Sequence, residues 1–177
     1  MVEIMSFPLV PQYSFRNITD VSPAFLDRLG IKFLMIDMDN TIASYGQRLP
    51  SDDVKRWAAE MKDFGVELFI VSNSSNKSRV ERFAETFGIG FIMRAFKPSP
   101  RGLLRAMATS GYSADQSSLI GDQVFTDALS ANLAGVVSMV VRPLRIKNPL
   151  LALRYALEIP FRAFCKNRNP LYFKAGV

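Results

Sequence analysis

A chain of 177 residues, 49% hydrophobic and 21% charged, has the size and composition of one well-cored soluble domain. It holds one cysteine, Cys165, and no histidine, which excludes an internal disulfide, every histidine-based triad and every histidine metal site. The net charge of +6 is uneven: residues 1–141 carry 14 basic and 15 acidic side chains, whereas residues 142–177 carry eight basic ones and Glu158 alone.

A metal ion in such a chain would be held by oxygen ligands, which points to Mg²⁺. No stretch is apolar for the roughly 18 residues that a membrane span requires. Met1 to Ser14 includes Glu3 and two prolines and lacks the basic start and apolar core of a signal peptide. The expectation is a cytoplasmic protein.

Taken in order, residues 1–30 read as a lead-in. Ser22 caps a helix with Pro23 in its first turn; Phe25, Leu26 and Leu29 share a face, and Gly30 ends it. The apolar run Lys32–Ile36 is short and reads as a buried parallel strand, closing on Asp37 and Asp39. By itself Asp-x-Asp-x-Thr also suits a polar strand end followed by a helix cap. Ser44–Pro50 is turn-rich. Ser51 then caps a helix in which Val54, Trp57, Ala58 and Met61 keep helical spacing up to Gly65.

Val66–Val71 is a second strand, followed by the polar cluster Ser72–Asn76. A helix spans Lys77–Phe87 and stops at Gly88. Phe91–Met93 is a third strand, and Pro98 and Pro100 open a helix that runs to Ser110. Ser118–Ile120 is a fourth strand that leads into Gly121-Asp122. A helix over Phe125–Leu133 ends at Gly135, and Val136–Val141 is a last strand. Strands alternating with helices predict an α/β doubly wound parallel sheet with helices on both faces. Ligands bind beyond the carboxyl ends of such strands, so four polar clusters after four strands can converge on one edge.

Their chemistry is coherent. Asp37, Asp39 and Asp122 stand at strand ends, with Asp127 beyond. Such carboxylates cannot all ionise side by side without a cation. Mg²⁺ would resolve the repulsion and seat a phosphate. Lys97 adds a second positive charge, and Ser72 and the amides after it offer donors. Phosphoryl transfer needs mainly positioning and charge neutralisation. A carboxylate nucleophile would divide hydrolysis into two steps, and a second carboxylate would act as acid and then base.

The stretches Asp37-Met38-Asp39-Asn40-Thr41, Ser72-Asn73, Lys97-Pro98 and Gly121-Asp122-x4-Asp127 resemble the four motifs of the haloacid dehalogenase (HAD) superfamily of phosphatases, in order. The wider wording, including Ile70-Val71-Ser72-Asn73 and Arg94-Ala95-Phe96-Lys97-Pro98, resembles the capless YqeG subgroup. That subgroup is similar to mitochondrial and plastid phosphatidylglycerophosphate phosphatases. The resemblance covers about residues 12–142. It implies Asp37 as nucleophile and metal ligand, and Asp39 as general acid and base that lends the metal its backbone carbonyl. It implies Ser72, Asn73 and Thr41 at the phosphoryl group and Lys97 neutralising it. Asp122 would ligate Mg²⁺, with Asp127 a ligand or its partner. Related histidinol- and heptose-phosphate phosphatases carry a Cys/His zinc loop, which this chain cannot build.

Thr41 and Ser72 are 31 positions apart, Ser72 and Lys97 25, and neither gap holds a large cap domain. An open site suits a large or surface-bound phosphate ester. In the segment 143–177, read as a basic extension to a 1–142 core, Leu150, Leu153, Leu157, Phe161 and Phe164 share one helical face, and Arg154, Glu158 and Arg162 another. Arg142, Arg145 and Lys147 precede it, and Lys166 and Arg168 follow. A basic amphipathic helix reads as an element for the surface of an anionic membrane; the alternative is that its apolar face packs on the sheet, and Pro160 threatens its continuity.

The expected function is a Mg²⁺-dependent phosphomonoester hydrolase, with phosphatidylglycerophosphate as substrate. Alternatives are a phosphatase of soluble nucleotide or sugar phosphates, and a non-enzymatic scaffold that binds a partner through the tail. The body carries a net charge of −1, which argues against a nucleic-acid groove.

Overall fold

The computed structural model describes residues 8–165. Within them, six strands form one all-parallel sheet: β1 (Tyr13–Phe15), β2 (Phe33–Ile36), β3 (Glu67–Val71), β4 (Gly90–Ile92), β5 (Ser117–Gly121) and β6 (Val137–Val141), in the order β1-β6-β5-β2-β3-β4. Winding runs outward from β2 through β3 to β4, and on the other side from β5 through β6. The reversal lies between β2 and β5, where an open sheet leaves a crevice.

The strands alternate side chains between two layers. Leu34 and Ile36 of β2, with Leu68 and Ile70 of β3, face α1 (Pro23–Arg28), α2 (Asp52–Asp63) and α3 (Lys77–Phe87). Phe33 and Met35, with Phe69 and Val71, face α4 (Arg101–Ser110) and α5 (Leu129–Ala134). Both faces of the central strands are buried, which is why they read as unbroken apolar runs. The expected doubly wound sheet is therefore observed, and each gap between motifs is spent on one helix and one strand, with no large cap inserted.

Local chemistry sets the helix ends as expected. Ser22 accepts from the Phe25 amide at 3.2 Å, and Ser51 from that of Val54 at 3.4 Å. Asn76 caps α3 by accepting from Arg79, and Gly88 ends it at φ 62°, a conformation that favours glycine.

Three features differ from expectation or go beyond it. First, β1 lies in the stretch read as a lead-in. It pairs with β6 at the sheet edge, and Tyr13 and Phe15 pack edge-on against Phe25 at 5.1 and 5.2 Å. Three half-buried residues leave no periodic signal, so only the partner strand identifies them. Second, the helix expected over Phe125–Leu133 starts as a wide π-helical turn, Val124–Ala128, and only then becomes α5. In that turn Asp127 folds back to accept from the Gln123 amide at 3.0 Å, which re-aims its carboxylate at the site.

Third, the C-terminal helix α6 (Pro149–Ala163) runs through Pro160 without stopping, and its two stripes are as expected. The charged stripe is the one that faces the body: Glu158 is buried, and Arg162 donates to the carbonyls of Val141 and Asp122. On the apolar stripe Leu150 is 74% exposed, Leu153 58%, Leu157 56% and Phe164, just past the helix, 73%. Phe161 alone of that stripe packs on the body, 5.8 Å from the Phe125 ring. The apolar face therefore does not pack on the sheet. Lys166 and Arg168 lie outside the described residues.

The Trp57 indole N–H, on α2, donates to the Val21 carbonyl at 2.8 Å and ties α2 to the segment before α1. Trp57→Phe keeps an aromatic ring but removes this bond. It should lower the unfolding free energy by about 1–2 kcal/mol without changing the denaturant slope, as read by urea titration.

Candidate active site

The carboxyl ends of β5, β2, β3 and β4 are adjacent, so the residues after them meet. The Asp37 amide donates to the Ile120 carbonyl at 2.9 Å, which extends the β2–β5 pairing by one residue and sets Asp37 beside Gly121-Asp122. The Ser72 amide donates to Ile92 O, and the Ala95 amide to Ser72 O, so the β3–β4 edge delivers the loop that bears Lys97.

Lys97 is the hub. Its ammonium lies 2.7 Å from Asp37 Oδ1, 2.7 Å from Asp127 Oδ1 and 2.8 Å from the Val71 carbonyl, and it is buried. The contacts with Asp37 and Val71 are hydrogen bonds, and that with Asp127 is an ion pair. Burial alone would push Lys97 down, but the Asp127 and Asp37 carboxylates outweigh it and hold the group above its ordinary range. Asn73 fixes the backbone of this lysine from both sides: its amide nitrogen donates to Lys97 O at 2.9 Å, and its amide oxygen accepts from Lys97 N at 2.8 Å.

One carboxylate oxygen each from Asp37, Asp122 and Asp127 lies within 4.8 Å of the others, and all three residues are buried. Burial pushes the Asp37 carboxyl up to about 7 against the pull of Lys97, and pushes Asp122 up to about 9 with repulsion from Asp127 and Asp37 added. Asp122 Oδ1 is buried with no hydrogen-bond partner. Asp127 Oδ1 likewise has no hydrogen bond, and an all-oxygen donor set, short of positive charge and with two such oxygens, fits a hard divalent cation. Gly121 is required beside it: a Cβ there would lie 2.3 Å from the Asp127 carboxylate.

Asp39 stands apart from this trio. Its Oδ1 accepts from Arg79 Nη1 at 2.6 Å, and Arg79 is anchored in turn on the carbonyls of Gln47 at 2.9 Å and Ser44 at 3.2 Å. Asp39, expected to serve the metal through its backbone carbonyl, thus keeps its carboxylate outside the carboxylate cluster. Thr41, expected at the phosphoryl group, lies behind Asp37 and donates to its Oδ2 at 3.4 Å. Ser72 is buried on the cleft wall, where its Oγ accepts from the Ser74 amide at 3.1 Å.

Asp37, Asp39, Ser72, Asn73, Lys97 and Asp127 line one cleft of about 580 Å³. Arg79, Tyr45 and Arg154 also line it and were not read from the sequence as site residues. Arg79 carried one available signal, its place in the first turn after the Ser72–Asn76 cluster, on the helix whose N-terminus faces the site. Tyr45 and Arg154 carried none, since they come from a turn-rich loop and from α6.

This fold and this constellation define a phosphatase of the HAD superfamily, a phosphoric monoester hydrolase. A family model described as "Mitochondrial PGP phosphatase" matches residues 5–144, and the chain belongs to that family. It is 33% identical over 134 residues to the "Probable phosphatase YqeG" of Bacillus subtilis, covering 76% of this chain and 77% of that one. Among solved structures it resembles the cobalt-bound deoxy-D-mannose-octulosonate 8-phosphate phosphatase of Haemophilus influenzae (TM-score 0.52, 14% identity, 82% and 97% of the two chains). It resembles equally a putative 3-deoxy-D-manno-octulosonate 8-phosphate phosphatase of Vibrio cholerae (TM-score 0.52, 18% identity, 76% and 77%). These last two likenesses are of fold.

Asp122→Asn replaces a buried carboxyl group, whose ionisation burial and the neighbouring carboxylates oppose, by a neutral amide. It should stabilise the metal-free protein by about 1–3 kcal/mol and abolish the rise in melting temperature on adding a divalent cation. Thermal unfolding with and without chelator checks both; a fall in the metal-free midpoint would count against the cation reading of the cluster.

Proposed function

We propose that this phosphatase works through an aspartyl-phosphate on Asp37, with Mg²⁺ as its metal and phosphatidylglycerophosphate as its substrate. Asp37 and Asp122, with the backbone carbonyl of Asp39, would hold the ion, which when bound neutralises phosphoryl charge. An Asp37 carboxylate oxygen attacks phosphorus and the ester bond breaks. Asp39 gives a proton to the departing oxygen, then takes one from the water that hydrolyses the aspartyl-phosphate, freeing inorganic phosphate and restoring Asp37. Lys97 supports both halves by neutralising charge on Asp37 and on the phosphoryl oxygens. Asp127 and Val71 O orient Lys97, and Asn73 positions its backbone. Ser72 and the amides that follow it donate to the phosphoryl group. Arg79 holds the Asp39 carboxylate at the cleft, ready for transfer.

The observation that carries the lipid assignment is the orientation of α6. The helix turns its charged stripe to the catalytic edge and its apolar stripe outward, with Ile146 and Leu144 also exposed beside it. Arg142, Arg145 and Lys147 are exposed in the approach to it. Apolar side chains at an interface and about 1 kcal/mol per basic residue near an anionic leaflet both favour docking there. No helix among the described residues is long and apolar enough to cross a membrane, so contact would be peripheral. The family description points to the same lipid.

Phosphate release from phosphatidylglycerophosphate in mixed micelles with Mg²⁺, beside soluble sugar and nucleotide monophosphates, tests this reading. Lipid should be preferred, and Asp37→Asn should fall to the blank. Asp39→Asn should lose about 10²–10⁴-fold in turnover. Turnover of soluble esters alone would retain the chemistry and remove the lipid assignment. Leu153→Glu with Leu157→Glu should abolish flotation with phosphatidylglycerol vesicles and lower the ratio of micellar to soluble-ester turnover.

A further inference from the structure

The cleft has three cations on its wall, Lys97, Arg79 and Arg154, and they are not equivalent. Lys97 is saturated by two carboxylates and a carbonyl. Arg79 is committed to Asp39 and to two carbonyls. Each serves a catalytic group: Lys97 is buried against Asp37, and Arg79 is held by Asp39 and the two loop carbonyls.

Arg154 differs in every respect. It reaches the cleft from α6, and it also lines the small seam where α6 meets Asn40 and Asp122. Its side chain is 31% exposed. Among the described residues its charge is paired with Glu158 Oε1, at 3.5 Å, and that oxygen has no hydrogen-bond partner, so the contact is electrostatic only. Glu158 is held independently by Arg162 at 2.9 Å, so the helix does not need Arg154 to bury its acid. Tyr45 lines the same cleft. Arg154 is thus a partly exposed guanidinium with no hydrogen bond among the described residues, on the cleft that Asp37, Asp39 and Asp127 also line. A guanidinium in that state fits two oxygens of a phosphodiester, for which its planar fork is suited.

We propose that Arg154 is a specificity-determining residue. It binds a second anionic group on the substrate, a phosphodiester flanking the monoester that is cleaved. The proposal rests on the phosphatase reading above and deepens it. It explains why a helix outside the four motifs borders the site: one stripe of α6 meets the bilayer, and the other meets the charged link between the acyl-bearing part of the substrate and its terminal phosphate. No covalent step is added, since Arg154 binds and does not react.

Steady-state kinetics on the intact chain with Mg²⁺ test it with three substrates. These are phosphatidylglycerophosphate in micelles, its deacylated soluble headgroup, and glycerol 3-phosphate, which lacks the diester. Wild type should prefer the headgroup to glycerol 3-phosphate by about tenfold or more in kcat/KM. Arg154→Met should erase that ratio through the KM of the headgroup, and Arg154→Lys should restore part of it. Thermal unfolding of each variant identifies misfolding, in which case the lysine variant and the salt dependence of the wild-type ratio give the reading. A wild type without the preference, an Arg154→Met variant that keeps it, or an equal loss on both soluble esters would overturn the proposal. The micelle arm separates the two ideas. An Arg154-dependent headgroup preference without lipid turnover sinks the lipid assignment alone. Lipid turnover with an Arg154-independent ratio sinks this inference alone.

Discussion

Lys97 is a buried ammonium, and everything at the catalytic edge is arranged around its three contacts. A charge removed from water is tolerable only when opposite charges and hydrogen-bond acceptors surround it. Here Asp37 comes from the end of β2, Asp127 from the wide turn after β5, and the Val71 carbonyl from the end of β3. One cation therefore ties three strand ends together. The arrangement also accounts for the departures from regular structure nearby. Val124–Ala128 widens so that Asp127 can turn back, position 121 must be glycine so that the carboxylate has room, and Asn73 spends its whole amide on the lysine backbone.

That hub is incomplete without further positive charge. Three buried carboxylates share one ammonium, and burial leaves Asp37 and Asp122 far above the ordinary carboxylate range. A cation would relieve the mutual repulsion of carboxylates that folding has already brought together. The Asp39 carboxylate is kept out of this competition by its ion pair with Arg79.

The C-terminal helix inverts the usual logic of an amphipathic element. A helix on a globular body normally buries its apolar stripe. In α6 the buried contacts are polar: an ion pair of Glu158 with Arg162, and hydrogen bonds from Arg162 to the carbonyls of Asp122 and Val141. The apolar stripe, Leu150, Leu153 and Leu157, is left in solvent. Hydrophobic burial thus does little to hold the helix.

The sequence by itself determined the alternation of strands and helices, the caps at Ser22 and Ser51, and the four motifs in order. These rest on local rules: side-chain period, capping chemistry and short-range spacing. It could also show that Leu150, Leu153 and Leu157 share a helical face, since that is periodicity alone. Tertiary structure decided what distance along the chain conceals. It paired the three residues of β1 with a strand more than a hundred positions away, brought Arg79 onto Asp39 and set Thr41 behind Asp37. It also turned the charged stripe of α6 inward and so delivered Arg154 to the cleft. Periodicity says which residues share a face. Which way that face points depends on partners elsewhere in the chain, and for α6 those partners are backbone carbonyls, which no side-chain pattern reveals.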